Sequence, residues 1–146
     1  MKLIRLIYII LPLALAFTCE QKEDKLISDV ENKITGEWVW VKSTYFNTNS
    51  GLPFVLSPDS VGYTVRQLFS TDGTYLQFKN DIVESSGIFW LETISLIDKT
   101  ETEIRLFSQK EDFVNYVKLS ITGDSLILDN ILGDGTLKLF RRIAEE

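Results

Sequence analysis

The chain contains no histidine, one cysteine, one methionine and three prolines in 146 residues. Without histidine there is no Ser-His or Cys-His nucleophile and no imidazole-ligated zinc or iron site. A lone cysteine excludes an internal disulfide framework. Basic residues are few: Lys+Arg number 15 against 21 Asp+Glu, a formal charge of -6. A protein that grips nucleic acid needs a basic face to displace counterions, so a nucleic-acid partner is not expected. Gly-x-Gly-x-x-Gly, P-loop and Gly-x-Ser-x-Gly patterns are missing as well. The carboxylates that remain, such as Glu101 and Glu103 or Glu111 and Asp112, fall in or beside turns, and no spacing selects a facing pair of the glycosidase kind. The expectation is a protein that is not an enzyme and carries no cofactor and no metal.

What is present begins with an address. Lys2 and Arg5 precede an apolar run from Leu6 to Phe17, interrupted by Pro12. Small residues Ala16 and Thr18 then lead to Cys19. Basic start, short apolar run and small residues are the order of a secretory signal, and the run is short for a membrane span. Leu15-Ala16-Phe17-Thr18-Cys19 resembles a bacterial lipobox in a relaxed form. That resemblance implies a signal peptide over 1–18, acylation of Cys19 and attachment to a membrane through the acyl chains, several of which on one residue anchor stably. Glu20-Gln21-Lys22-Glu23-Asp24 resembles the export signal of Bacteroidota lipoproteins, which implies an outer-membrane lipoprotein of the cell envelope, displayed on the outer face. With Lys2 and Arg5 removed the formal charge falls two below -6, and so acidic a body does not lie flat on anionic lipid.

Residues 19–35 form the tether and the one helical candidate. Leu26, Val30 and Ile34 recur every four residues with charges between them, and Thr35-Gly36 supplies a stop. Beyond Gly36 the pattern is β. Strands are expected over Trp38–Phe46, Val61–Ser70, Thr74–Lys79, Ile82–Leu91, Thr93–Ile97, Glu103–Ser108, Phe113–Ile121, Leu126–Leu128 and Thr136–Arg142, with a long loop over 47–59. Turn signals every 8–12 residues indicate an antiparallel sandwich or barrel. Nearly all links are hairpin-short, whereas a Greek key needs long crossovers. An all-β, antiparallel up-and-down barrel of about eight strands over 36–146, with a short N-terminal helix, is therefore the expected fold.

Gly36-Glu37-Trp38 opens the first strand, Arg141-Arg142 closes the last, and Phe69-Ser70-Thr71-Asp72-Gly73-Thr74-Tyr75 makes a hairpin between. These features resemble the lipocalin-like superfamily, and in particular the small lipocalin-like lipoproteins of Bacteroidota. The resemblance implies a barrel closed at its base by an arginine stacked on the first-strand tryptophan. Because Leu137, Leu139 and Arg141 alternate on one face, the expected pair is Trp38 with Arg141. A barrel of about eight strands has an interior that side chains fill as a plain core or that holds one small, partly apolar ligand in its open end. Candidate lining residues are Trp40, Tyr63, Val65, Leu76, Phe78, Trp90, Leu106, Val117 and Leu119, with Arg66, Gln67 and Asn115 as polar contributors. The alternative is a surface adaptor that docks on another envelope protein or glycan, for which a contiguous exposed aromatic patch is the signature.

Overall fold

A computed structural model describes residues 25–46, 52–95, 102–110, 113–130 and 135–144, without side chains for 95, 102, 110 and 113. The segment 1–18 and Cys19 lie outside the described residues. Helix α1 (25–34) precedes β1 (Gly36–Phe46), β2 (Pro53–Leu56), the single-turn α2 (Pro58–Val61), β3 (Val65–Phe69), β4 (Thr74–Lys79), β5 (Ile82–Ser95), β6 (Thr102–Lys110), β7 (Phe113–Thr122), β8 (Ser125–Asn130) and β9 (Thr136–Arg142). Every neighbour is antiparallel, in the order β2-β1-β3-β4-β5-β6-β7-β8-β9. β9 pairs back onto β1, so β1 and β3 to β9 close an eight-stranded barrel, with β2 added beside β1.

β1 serves two partners on one side. Its first half pairs with β3, Gly36 opposite Phe69 through Val39 opposite Arg66. Its second half pairs with β2, Ser43 opposite Leu56 through Phe46 opposite Pro53. The expected 47–59 loop thus holds an extra strand and the start of a helical turn. In the other direction, Thr93 to Ser95 do not open a separate strand, because β5 runs unbroken through Glu92; the rest of the expected Thr93–Ile97 strand lies outside the described residues.

Two bulges set which residues look inward. In β1 the register against β9 shifts between Trp40 and Lys42. Trp38, Trp40, Ser43 and Tyr45 therefore share the interior, and the Trp40 indole N–H donates to Ser43 Oγ across the bulge (3.0 Å). In β5 the shift falls between the partners of Gln77 and Phe78, and the extra residue is Glu84.

The base of the barrel is the apolar core: Trp38, Phe69, Phe89, Leu91, Leu119, Leu126 and Phe140 are buried together with Ile34 of α1. Phe69 and Phe89 meet edge to face at 5.1 Å. The helix presents Ile27, Val30 and Ile34 to this core, while Leu26, expected on that face, is 37% exposed. A register of three and four, not four and four, fits the 3.6-residue turn.

One residue ties helix and barrel. The Arg142 guanidinium lies 4.2 Å from the centre of the Trp38 ring. It donates to the Thr35 carbonyl at 2.8 Å and to the Lys33 carbonyl, and the Trp38 indole N–H donates to the Ile34 carbonyl at 2.7 Å. Three carbonyls at the end of α1 that lack a partner within the helix are thereby satisfied, with a cation at the negative end of the dipole. Gly36 passes at φ 118, and a Cβ there would stand 2.8 Å from Arg142 Nη1, so only glycine fits.

This corrects the expected pair. Arg141 is exposed, opposite Val39 across the strands, while Arg142 is opposite Trp38. Thr136 and Phe140 are buried and Lys138 lines the interior, so Leu137, Leu139 and Arg141 form the outer face and the even-numbered residues the inner one. Trp38→Ala should cost roughly 3–5 kcal/mol in urea unfolding. Arg142→Ala should couple to it by about 1 kcal/mol or more in a double-mutant cycle, whereas Arg141→Ala should add to it simply. Coupling of Trp38 to Arg141 instead of Arg142 would contradict this geometry.

Candidate functional site

Above the apolar base the interior hollows into a cavity of about 470 Å³. Strand directions place it towards the end opposite α1, between β3, β4 and β5 on one side and β6 to β9 on the other. Its lower surface is Phe69, Leu106, Val117 and Leu128, and its walls carry Gln67, Tyr75, Gln77, Ser85, Ser108, Asn115, Asn130, Thr136 and Lys138. A second compartment of about 180 Å³ is lined by Trp40, Ser43, Tyr45, Tyr63, Val65, Glu84 and Phe140 among others. Gln67, Gln77 and Lys138 line both, so they stand where the compartments meet. Trp40 and Tyr63 stack at 5.9 Å, and Lys79 sits 4.3 Å over the Tyr63 ring.

The amides at this junction have a fixed sense. An ionised carboxylate can only accept, so Gln77 must present its NH₂ to Glu84 Oε2 (2.7 Å). Its carbonyl oxygen then accepts from the Gln67 NH₂ at 3.1 Å. Gln67 Oε1 is left over, buried and without a protein partner. The β5 bulge is what brings Glu84 to the inner face, so this chain depends on one inserted residue. Burial raises the Tyr75 phenol above its ordinary value of 10.0, so it stays a neutral donor and acceptor at physiological pH.

The structure sorts the expected lining residues. Gln67, Asn115 and Val117 face the larger cavity, as does Leu106. Trp40, Tyr63 and Val65 face the smaller one. Leu119 lies in the core below. Arg66, Phe78, Trp90 and Leu76 do not line the cavity and point outward. Opposite Gln67 across the hairpin stands Gln77, and opposite Phe69 stands Tyr75, which turns Leu76 and Phe78 away from the interior. Arg66 covers the outer face of Phe78 at 4.6 Å and pairs with Glu37 and Asp81. Gln77, Ser85, Ser108, Asn130 and Lys138 were not foreseen. The signal for them is the pairing register: Gln77, Ser108, Asn130 and Lys138 each lie two residues along from a residue packed in or against the core, and Ser85 lies opposite Gln77.

The hairpin between β3 and β4 is held by Asp72, whose carboxylate accepts from the Thr74 hydroxyl (2.6 Å) and backbone N–H (3.0 Å). Those bonds draw its pKa below the ordinary value. Among the described residues no three His, Cys, Asp or Glu gather as a metal site.

On the outer wall, Trp90 stacks on Phe107 at 5.3 Å and Phe107 on Tyr116 at 5.6 Å, one ring from each of β5, β6 and β7. Tyr116 is 54% exposed, and Ile88 and Val114 extend the apolar surface. Arg105 lies 4.8 Å over Tyr116 and donates to Glu103 at 2.9 Å, with Lys118 at 3.4 Å from the same carboxylate.

Comparison with protein-family models, with curated proteins and with solved structures finds no match to this chain. The class of the molecule is therefore given by its own geometry: a closed eight-stranded antiparallel barrel, plugged at one end and hollow at the other.

The Arg105 hydrogen bond, aided by Lys118, holds the Glu103 carboxyl below its ordinary value of 4.5 against the opposing effect of burial. A depressed carboxylate stabilises the fold above its unfolded pKa, and that contribution is lost as pH falls through the folded value. Glu103→Gln should thus lower the urea midpoint at neutral pH, with the gap to the parent protein closing as pH falls below about 4.5. A gap that stays constant over that window would contradict the assignment.

Proposed function

We propose that this chain is a lipid-anchored lipoprotein of the outer membrane whose lipocalin-like barrel binds a small molecule in its open end, and that it is not an enzyme. The observation that carries the binding reading is the cavity. Eight-stranded barrels are just wide enough to be filled by side chains or to hold one small ligand. Here about 470 Å³ remains, within the range of ordinary ligand sites. The polar walls over an apolar floor support a ligand more polar than the sequence pattern suggests. The anchor reading rests on the lipobox resemblance at Cys19 and on the basic and apolar segment before it.

The two parts are tested separately. An alkyne analogue of palmitate should label the full chain in cells, and Cys19→Ser should abolish labelling and release the protein from the membrane fraction. Labelling that survives Cys19→Ser would overturn the anchor. In the purified full-length protein, titration with a small-molecule library should give saturable changes in tryptophan emission, because Trp40 lines the smaller compartment. A library without one saturable member would overturn ligand binding.

A second reading is favoured by the row of Trp90, Phe107 and Tyr116, which is the contiguous aromatic surface expected of an adaptor. Aromatic residues with a neighbouring arginine are the composition of protein–protein contact centres, so the occupant is another envelope protein. A photocrosslinker at Tyr116 should then capture one defined partner, with capture lost when Trp90→Ser is introduced. Crosslinks spread over many proteins and unaffected by Trp90→Ser would dismiss this reading.

A further inference from the structure

We infer that the ligand of the larger compartment is a small organic carboxylate that also carries hydroxyl or N–H groups, bound with its carboxylate on Lys138 and a donor on Gln67. This deepens the ligand-binding reading and rests on it.

The charge distribution is the first argument. The protein is acidic overall, with a formal charge of -6, yet the described side chains lining the larger cavity include no carboxylate. The one charged group among them is Lys138. Its direction is set by the strand, since Thr136 and Phe140, two residues to either side, are both buried, while Lys138 itself is exposed to solvent. Across the strands it faces Ser43 and Leu128, neither of which can neutralise it. Among the described residues it has no ion-pair partner. The other charges of the interior belong to the smaller compartment and are already engaged: Glu84 accepts from Gln77 and lies 4.0 Å from Lys79, which stands over Tyr63. Lys138 also borders the smaller compartment, but the carboxylate there, Glu84, is engaged by Gln77 and Lys79; a cation left over among amides and hydroxyls selects an anion.

The second argument is independent of charge. The sense of the Glu84–Gln77–Gln67 chain leaves Gln67 Oε1 as a buried acceptor without a protein partner, at the same junction that Lys138 lines. Such an atom calls for a hydrogen-bond donor, and a ligand meets it only by a turn of the Gln67 side chain that opens the oxygen to the cavity. A plain fatty acid offers a carboxylate but no donor; a neutral sugar offers donors but no anion. Ser85, Ser108, Asn115 and Asn130 supply further donors and acceptors for a hydroxylated body, and Phe69, Leu106, Val117 and Leu128 take its carbon face. The volume of about 470 Å³ accommodates a monosaccharide-sized acid, and it is the polar walls, not the size, that disfavour a long acyl chain.

The test uses the full-length protein and matched probes, read by calorimetry. Glucuronate is compared with glucose, which lacks the carboxylate, and with hexanoate, which lacks the donors. Saturable glucuronate binding about 10-fold or more tighter than either is expected. Lys138→Met should weaken glucuronate by about 10- to 100-fold, the worth of one charge-assisted bond. Lys138→Arg should retain binding, and Asn115→Asp, which sets a negative charge in the same cavity, should weaken it. Far-ultraviolet circular dichroism confirms that each variant folds. The inference is overturned if glucuronate does not bind, if glucose or hexanoate binds as tightly, or if Lys138→Met leaves the affinity unchanged. If a neutral member of the library above binds saturably while glucuronate fails, ligand binding stands and the carboxylate assignment alone falls.

Discussion

The structure hangs on the contact between Arg142 and Trp38 at the base of the barrel. Stacking a guanidinium on a buried indole joins the last strand to the first, which is the seam at which any up-and-down sheet must close. The same guanidinium and the same indole N–H satisfy the carbonyls that end α1. Closing the ring and seating the plug are therefore one event. A lysine could supply charge there, but not a plane that stacks on the ring while its edge reaches two carbonyls. Because the base is sealed in this way, the apolar residues concentrate there, with Ile34 and Trp38 fully shielded from solvent, and the upper half is released from serving as core.

That release explains the polar cup. A barrel filled from end to end would need apolar side chains on the inner face of every strand. Here the inner face changes character along its length. On β3 it runs from Phe69 at the base to Gln67, and on β9 from Phe140 to Lys138 and Thr136. Polar groups in an interior are tolerated only where they find partners or water. The Gln67–Gln77–Glu84 chain supplies partners from within, and the bulge that turns Glu84 inward is the backbone irregularity that makes the chain possible. Stability thus resides at one end of the molecule and binding capacity at the other, and a change in the cup need not disturb the seal.

The same division decides what could be read from the sequence. Fold class, strand number and the antiparallel meander were legible because β-branched and aromatic runs punctuated by turn signals leave few alternatives. Trp38 was legible through the resemblance of Gly36-Glu37-Trp38 to the opening of a lipocalin-like barrel. The interior was legible only in part, since alternation was read on the premise that apolar means inward. Leu76, Phe78 and Trp90 break that premise: they are shielded on the outside by neighbours such as Arg66 over Phe78 and Phe107 against Trp90, while amides take the inside. The choice of Arg141 failed for the same reason, because Leu137 and Leu139 were taken to mark the inner face. Where an interior is wet, pattern alone cannot give the parity of a strand, and register against a residue of known direction must.

The outer aromatic row shows the complementary side of this parity. Trp90, Phe107 and Tyr116 come from three successive strands, and their cross-strand register brings the rings into contact outside the barrel. Part of their worth is structural, since stacked cross-strand aromatics stiffen a sheet whose inner face at this height is Ser108 and Asn115. Apolar packing that the cup cannot provide on the inside is supplied on the outside, with Arg105 and Glu103 holding its edge. A half-buried row of this kind, exposed chiefly at Tyr116, need not be dedicated to a partner in order to be maintained. Its retention follows already from the demand that a hollow, polar-lined wall keep its register, and that demand arises from the cavity itself.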